Sequence, residues 1–220
     1  MNFFWFPIGH LPIIILIMLI AFSVHEFAHA WTAWKFGDDT AYREGRVTLN
    51  PLSHLDWIGM LFLVIAGFGW AKPVPVRRSR FKKPRLMNIL VTAAGPVSNL
   101  LLAFLLLFVF YLLNALHAFE GISMDLFRNI WTFMDYWLRI NLALFLFNLL
   151  PVPPLDGYRI VEEFLPFKTR MLIQEKSQWI TFGFLLVVFI PQLRDATIGR
   201  LMQLMVPIIE GMDRLLGLIF

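Results

Sequence analysis

The sequence predicts an all-α polytopic membrane protein with about five transmembrane helices and one short re-entrant or hairpin segment near residues 55–76. Two observations support this fold class. Of the 220 residues, 59% are hydrophobic and 15% are charged, and the mean hydropathy is +0.69. The core of a soluble protein of this size cannot hide such a balance. The apolar residues are also gathered into long segments, each able to reach about 30 Å as a helix.

The candidate membrane helices are five apolar segments. They run approximately over residues 11–34, 87–116, 126–150, 180–190 with its flanks, and 198–220. The first segment has no basic start and no small-residue cleavage pattern, so we expect it to stay in the mature protein rather than act as a signal peptide.

A shorter apolar stretch, Trp57 to Phe68, interrupts this pattern. Its dozen residues give roughly 18 Å as a helix, less than the hydrocarbon thickness, so we predict that it dips in and returns. The glycines and prolines of residues 67–76 favour an extended or hairpin segment after it. Its unpaired backbone groups could hold another chain in extended form.

The charge pattern indicates a lipid partner and an orientation. The net charge is +4, but the basic residues lie beside apolar segments rather than along one soluble face. We therefore predict contact with anionic lipid and no nucleic-acid binding. No Lys or Arg precedes the first span, so the N-terminus should face outward. The densest basic group comprises Lys72, Arg77, Arg78, Arg80, Lys82, Lys83 and Arg85.

The run His25-Glu26-Phe27-Ala28-His29 lies within the first apolar segment. Residues four apart share one face of a helix, so the imidazoles of His25 and His29 can bind one metal ion while Glu26 projects beside them. Zinc lowers the pKa of bound water to about 7, and a neighbouring carboxylate can take the proton. Ionisable residues inside a membrane span are rare and usually functional, which favours a metal site over a chance arrangement.

A third ligand must come from elsewhere, and it must be His, Asp or Glu because the chain has no cysteine. Asp156 is the best candidate because the prolines and glycine around it break a helix at membrane depth, where a covered cavity is needed. It can meet the histidines only if the chain between them crosses the membrane once. An Asp-Gly turn at the membrane surface is the alternative. We expect His10 and His117 at interfaces, and His54 to orient its loop rather than bind zinc.

Taken together, these residues resemble the site-2 protease family, the intramembrane zinc metalloproteases of peptidase family M50, in the compact form without a PDZ domain. The resemblance covers most of the chain. It is carried by four pieces: residues 25–29, 50–56, 94–99 and 148–157.

The resemblance implies that His25, His29 and Asp156 bind one Zn²⁺ per chain and that Glu26 is the general base. It also places Asn148 near the catalytic centre, where its amide could steady the scissile carbonyl; a tie between two helices is the other interpretation. Gly95 and Pro96 are interpreted as packing residues, and Asn99 as a hydrogen-bonding link between helices.

The predicted function is therefore intramembrane endopeptidase, acting on single-span membrane proteins in or near their transmembrane segments. The chain is one domain, residues 1–220, with a catalytic core at about 8–160 and C-terminal helices at about 172–220. The resemblance implies a multi-pass protein of the plasma membrane with its site towards the cytoplasm. Substrate choice could rest on membrane segments, on oligomeric contacts, or on prior trimming by a site-1-type protease. The alternatives are a metal-transporting or metal-sensing protein and a pseudoprotease that does not cleave.

Overall fold

A computed structural model describes residues 7–66 and 69–220, and it contains helices and no strand within those ranges. The α-helices, in chain order, are α1 Leu11–Lys35, α2 Thr40–Arg43, α3 Trp57–Ala66, α4 Pro84–Ala115, α5 Met124–Asn148, α6 Asp156–Glu162, α7 Phe167–Glu175, α8 Ser177–Phe189, α9 Pro191–Ala196, α10 Ile198–Met202 and α11 Met205–Gly217. Short 3₁₀ helices cover Ile8–His10, Pro51–Ser53 and Arg78–Arg80. The all-α prediction is confirmed for the described residues.

Two helical stretches of the described chain are long and apolar enough to cross a membrane, Ile8–Lys35 and Pro84–Ala115. The predicted count of about five spans is not confirmed. α5 has 25 residues, about 37 Å, but it carries Asp125, Arg128, Asp135 and Arg139, two of them in an ion pair between Arg139 Nε and Asp135 at 2.6 Å.

Prolines explain why the C-terminal apolar segments are short helices. Ile190 has an extended backbone (ψ 112°) immediately before Pro191, as expected for a residue that precedes proline. α8 therefore ends after 13 residues. The predicted span at 198–220 is likewise divided between α10 and α11, and Pro207 in the first turn of α11 has no N–H to continue a helix from α10.

The chain folds back after the short apolar helix α3, and its predicted return within the membrane stays a prediction. α3 has 10 residues, and the amide of Lys72 then donates to the carbonyl of His54, just before α3, at 2.8 Å. Residues 69–77 are neither helix nor strand. The predicted extended segment also included Gly67 and Phe68, which lie outside the described residues.

The long helices pack around a common interior. α4 contacts α1 along one side and α5 along another, and α6 lies against α4. Apolar side chains fill the contacts between α1 and α5, around Ile14 and Ile17, and between α4 and α5, around Ala103 and Leu142. This arrangement brings the middle of α1, the first half of α4 and the start of α6 together.

Candidate metal centre

His25 and His29 lie on the face of α1 that packs into the protein, and both are buried. One helical turn separates them, so their rings meet edge to face with centroids 4.6 Å apart. The two Nε2 atoms are 3.0 Å apart. The predicted i, i+4 pairing is therefore present.

Asp156 is the first residue of α6, and its side chain reaches the two histidines. The chain turns sharply after α5, Leu155 is extended, and α6 begins directly after it. Gly157 permits this approach, because a Cβ there would lie within 3.0 Å of the carbonyl groups of Leu149 and Leu150. Asp156 Oδ2 lies 3.1 Å from Nε2 of His25 and 3.2 Å from Nε2 of His29. The structure thus brings the three predicted ligands to one point.

The tautomer of His29 follows from its second ring nitrogen. Nδ1 lies 2.8 Å from the backbone carbonyl of Val91 on α4. A carbonyl only accepts hydrogen bonds, so Nδ1 carries the proton and donates it. Nε2 of the neutral ring is then an acceptor whose lone pair points towards Asp156.

The tautomer of His25 is set by a chain of buried amides. Asn99 on α4 places its Nδ2 3.3 Å from the Ala21 carbonyl and 3.2 Å from Oδ1 of Asn141 on α5. Because the Ala21 carbonyl only accepts, the Asn99 amide nitrogen must face it, and Oδ1 must face His25. Nδ1 of His25, 2.7 Å away, therefore donates. Asn141 is held in turn by a bond to the Trp137 carbonyl at 3.0 Å.

These orientations make the site suitable for a cation. When both rings are neutral, two imidazole lone pairs and a carboxylate oxygen converge on one point. Such a buried arrangement is unfavourable unless a positive charge lies between them. The separations of 3.0–3.2 Å are close to the roughly 3.3 Å between ligands of a tetrahedral zinc with bonds of about 2.0 Å. Zinc therefore fits the donor set.

The backbone of α4 forms one wall of this site. A Cβ built on Gly95 would lie less than 3.0 Å from Nε2 of both His25 and His29. Glycine is thus the residue that lets α4 come this close to the imidazoles. The sequence interpretation of Gly95 as a packing residue omitted this contact with the metal site.

Glu26 is buried beside the histidines. Its Oε2 accepts a hydrogen bond from the backbone N–H of Val74 at 3.0 Å. Asn148 lies at the end of α5, where its Nδ2 donates to the carbonyl of Leu144 at 2.9 Å. That bond uses one of its two amide protons within α5, and its predicted contact with a scissile carbonyl stays a prediction.

The other histidines lie apart from the group that could hold a metal. His54 is buried in the loop before α3, and its Nε2 lies 2.8 Å from the Thr48 carbonyl; burial lowers its pKa below the usual value. His10 pairs with Tyr136 at 2.9 Å, and the exposed His117 pairs with Glu120. In the described chain, His25, His29 and Asp156 form the single cluster of metal-binding type.

Sequence reasoning missed the contacts of three buried residues: Asn141 with Asn99, the Val74 amide with Glu26, and Arg46, whose Nη2 donates to the carbonyl of Lys72. Asn141 alone gave a signal, as an uncharged polar residue within an apolar stretch. The roles of Arg46 and Val74 depend on contacts with residues far away in the sequence.

Comparison of the sequence with known proteins places this chain in a family. The model of the family described as peptidase family M50 matches residues 13–190. The chain is 47% identical over 195 residues to the "Putative zinc metalloprotease YwhC" of Bacillus subtilis, covering 87% of this chain and 86% of the relative. It is 33% identical over 190 residues to the "Putative zinc metalloprotease Rip2" of Mycolicibacterium smegmatis, covering 83% of this chain and 68% of that protein. No solved structure shows a significant match.

Proposed function

The chain belongs to peptidase family M50 and is a zinc metalloprotease, and we propose that it is an intramembrane endopeptidase that hydrolyses peptide bonds in or near transmembrane segments. One observation carries this proposal. The convergent acceptors of His25, His29 and Asp156, with Glu26 next to them, are buried against a helix that is long and apolar enough to cross a membrane. A peptide bond cleaved at this site must therefore lie next to α1, a helix of the protease that is long and apolar enough to cross a membrane.

The residues divide the chemistry between them. His25, His29 and Asp156 would hold one zinc ion, and their second contacts fix which atom each presents. A bound zinc ion polarises a carbonyl and lowers the pKa of water to about 7. Glu26 accepts the proton of the attacking water and transfers it to the leaving amide nitrogen. The Val74 amide holds Oε2 of Glu26, so Oε1 is assigned to the proton.

The membrane arrangement is part of the same proposal. The protein crosses the plasma membrane several times, with its N-terminus outside and its site towards the cytoplasm, in keeping with the basic residues that follow α1. The segment from α3 to residue 77 re-enters the membrane without crossing it. Its exposed apolar side chains support this placement: Trp57 is 77% exposed, Ile58 62% and Leu61 58%.

The proposed substrates are single-span membrane proteins. A peptide bond within a helix is shielded by its own hydrogen bonds, so the substrate must unwind locally and bind in extended form. An upstream protease of the site-1 type would supply a shortened substrate.

The Glu26→Gln variant separates metal binding from proton transfer. Zinc content per chain is measured by elemental analysis on detergent-purified protein, together with cleavage of a model transmembrane substrate. We expect about one zinc in wild type and in Glu26→Gln, with cleavage lost by at least about 100-fold in the variant because the base is removed. Glu44→Gln, which changes an exposed glutamate, is the matched control and should cleave normally.

The other outcomes identify the competing functions. Persistent cleavage by Glu26→Gln would overturn the assignment of the base. A zinc-loaded wild-type protein that cleaves no transmembrane substrate would support a pseudoprotease, and zinc movement across vesicles without cleavage would support a transporter.

A further inference from the structure

The extended residues 69–77, here called the strap, pass directly over the proposed general base. Within residues 72–77 of the strap, four residues have a backbone N–H, and three of these donate to groups outside the strap. Lys72 donates to the His54 carbonyl, Val74 to Glu26 Oε2 at 3.0 Å, and Arg77 to Asp38 Oδ2 at 2.5 Å. Two of the three acceptors are buried carboxylates. The strap is therefore held by two carboxylate side chains and one loop carbonyl rather than by a neighbouring strand.

Arg46 holds the same stretch from the carbonyl side. Its Nη2 donates to the carbonyl of Lys72 at 2.5 Å and approaches that of Pro73 at 3.4 Å. These are the two residues immediately before Val74. With Asp38 at the other end, the strap is fixed on both sides of the one amide that contacts Glu26.

The burial of Arg46 is unusual and requires an explanation. The side chain is 5% exposed, and its guanidinium forms no salt bridge within the described part of the chain. Its Nε is buried without a hydrogen-bond partner. A buried arginine is normally paired with a carboxylate. Here the polar contacts of the guanidinium are directed at the strap.

We propose that Arg46 is a positioning residue for catalysis: it holds the carbonyls of Lys72 and Pro73 so that the Val74 amide fixes the carboxylate of Glu26. A carboxylate without such a donor rotates about its terminal bond, and misplacement of a reacting group by about 1 Å costs up to about 100-fold in rate. The N–H of Val74 fixes one oxygen and thereby directs the other. This inference rests on the proposed role of Glu26 as general base.

The test uses Arg46→Gln and Arg46→Lys in the full-length, zinc-loaded protein. For Arg46→Gln we expect about one zinc per chain, kcat lowered by about 10- to 100-fold and KM changed much less, because Glu26 is misdirected while the zinc ligands are untouched. Arg46→Lys should recover part of kcat, since an ammonium can still donate to one of the two carbonyls. Arg43→Gln, an exposed neighbour, is the matched control.

Amide hydrogen exchange provides a readout that needs no catalysis. Peptides covering residues 72–77 should exchange faster in Arg46→Gln than in wild type, because the carbonyls of Lys72 and Pro73 are no longer held and the strap can move its amides away from their acceptors. A second pair of variants isolates the amide of Val74. Val74→Ala keeps the N–H and should keep most of kcat, whereas Val74→Pro removes it and should lower kcat as Arg46→Gln does.

Two results would overturn the inference. One is an Arg46→Gln protein with unchanged kcat and unchanged exchange in the strap. The other is joint loss of zinc and activity without recovery in Arg46→Lys, which would mean that Arg46 only supports the fold. If zinc-loaded wild type does not cleave at all, the proposed function fails instead, and the exchange experiment still reports whether Arg46 holds the strap.

Discussion

The helices around the metal centre and the C-terminal residues 167–220 are held together by different kinds of contact. Among the described residues, every buried polar or charged side chain lies at or before Glu163. The buried residues of the C-terminal segment are apolar: Phe184, Val188 and Leu216. The match to the family model also ends at residue 190, before α10 and α11.

The two kinds of contact differ in how strictly they fix the positions of the side chains. A buried polar group is costly unless its partner is at the right distance and angle, so a network of such groups favours one arrangement. Apolar contacts tolerate small shifts with little loss. We therefore expect substitutions around the metal centre to act on zinc, and substitutions in the C-terminal segment to act on stability alone.

The largest expected effect comes from a methyl group placed at the metal centre. Gly95→Ala puts a Cβ less than 3.0 Å from the Nε2 atoms of both histidines, and the helix backbone carrying it cannot move away cheaply. We expect zinc content to fall from about one per chain to near zero by elemental analysis. Gly183→Ala in α8 is the matched control, because a Cβ there meets nothing within 4 Å.

The control sharpens the comparison because the same glycine-to-alanine change should increase the stability of the C-terminal segment, whereas at the metal centre it should remove zinc. Replacing a helical glycine by alanine in open space stabilises by about 0.5–1 kcal/mol, and Gly183→Ala should leave zinc unchanged. Full zinc occupancy in Gly95→Ala would show that α4 can shift aside and that the metal centre is as tolerant as the C-terminal helices.

A smaller effect on zinc is expected from the amide that orients His25. Asn99→Leu removes the acceptor 2.7 Å from Nδ1 and leaves the imidazole free to change tautomer. Loss of such a partner typically weakens metal binding by about 10- to 100-fold, or about 1.4–2.7 kcal/mol. Competition with a chelator of known zinc affinity measures this change.

Ser98→Ala is the control for Asn99→Leu, since the Ser98 hydroxyl donates to the Gly95 carbonyl of its own helix. Equal zinc affinities for the two variants and wild type would mean that Asn99 merely joins the helices, as the sequence alone suggested.

The same contrast explains which features could be predicted from the sequence. His25, Glu26 and His29 follow from helical spacing, which is local, and Asp156 follows from a helix break with few other candidates for a third ligand. The folding back of the chain after α3 follows from helix length and from glycines and prolines. All of these depend on rules that act over a few residues.

Other features depend on contacts that no local rule describes. Arg46 contacts residues 26 positions away, and the Val74 amide meets a side chain 48 positions away. The division of the predicted span at 198–220 was missed because hydropathy outweighed Pro207. α5 was assigned as a span on length and apolar content, although its four charged residues lower its hydropathy.

The C-terminal segment is tested by its most deeply buried side chain. Leu216 is 0% exposed and packs with Ala103 and Leu107 of α4 and Leu142 of α5. Leu216→Ala should lower the free energy of unfolding in detergent by about 2 kcal/mol, the lower end of the range for buried leucines, because the leucine side chain also meets apolar detergent in the unfolded state and mainly the cost of the cavity remains. Zinc content should stay at about one per chain.

The neighbouring Leu215 is 51% exposed, so Leu215→Ala should change neither the free energy of unfolding nor the zinc content. If Leu216→Ala instead lowers zinc affinity at temperatures where the protein stays folded, the apolar contacts of α11 contribute to the geometry of the metal centre, and the two regions are one cooperative unit.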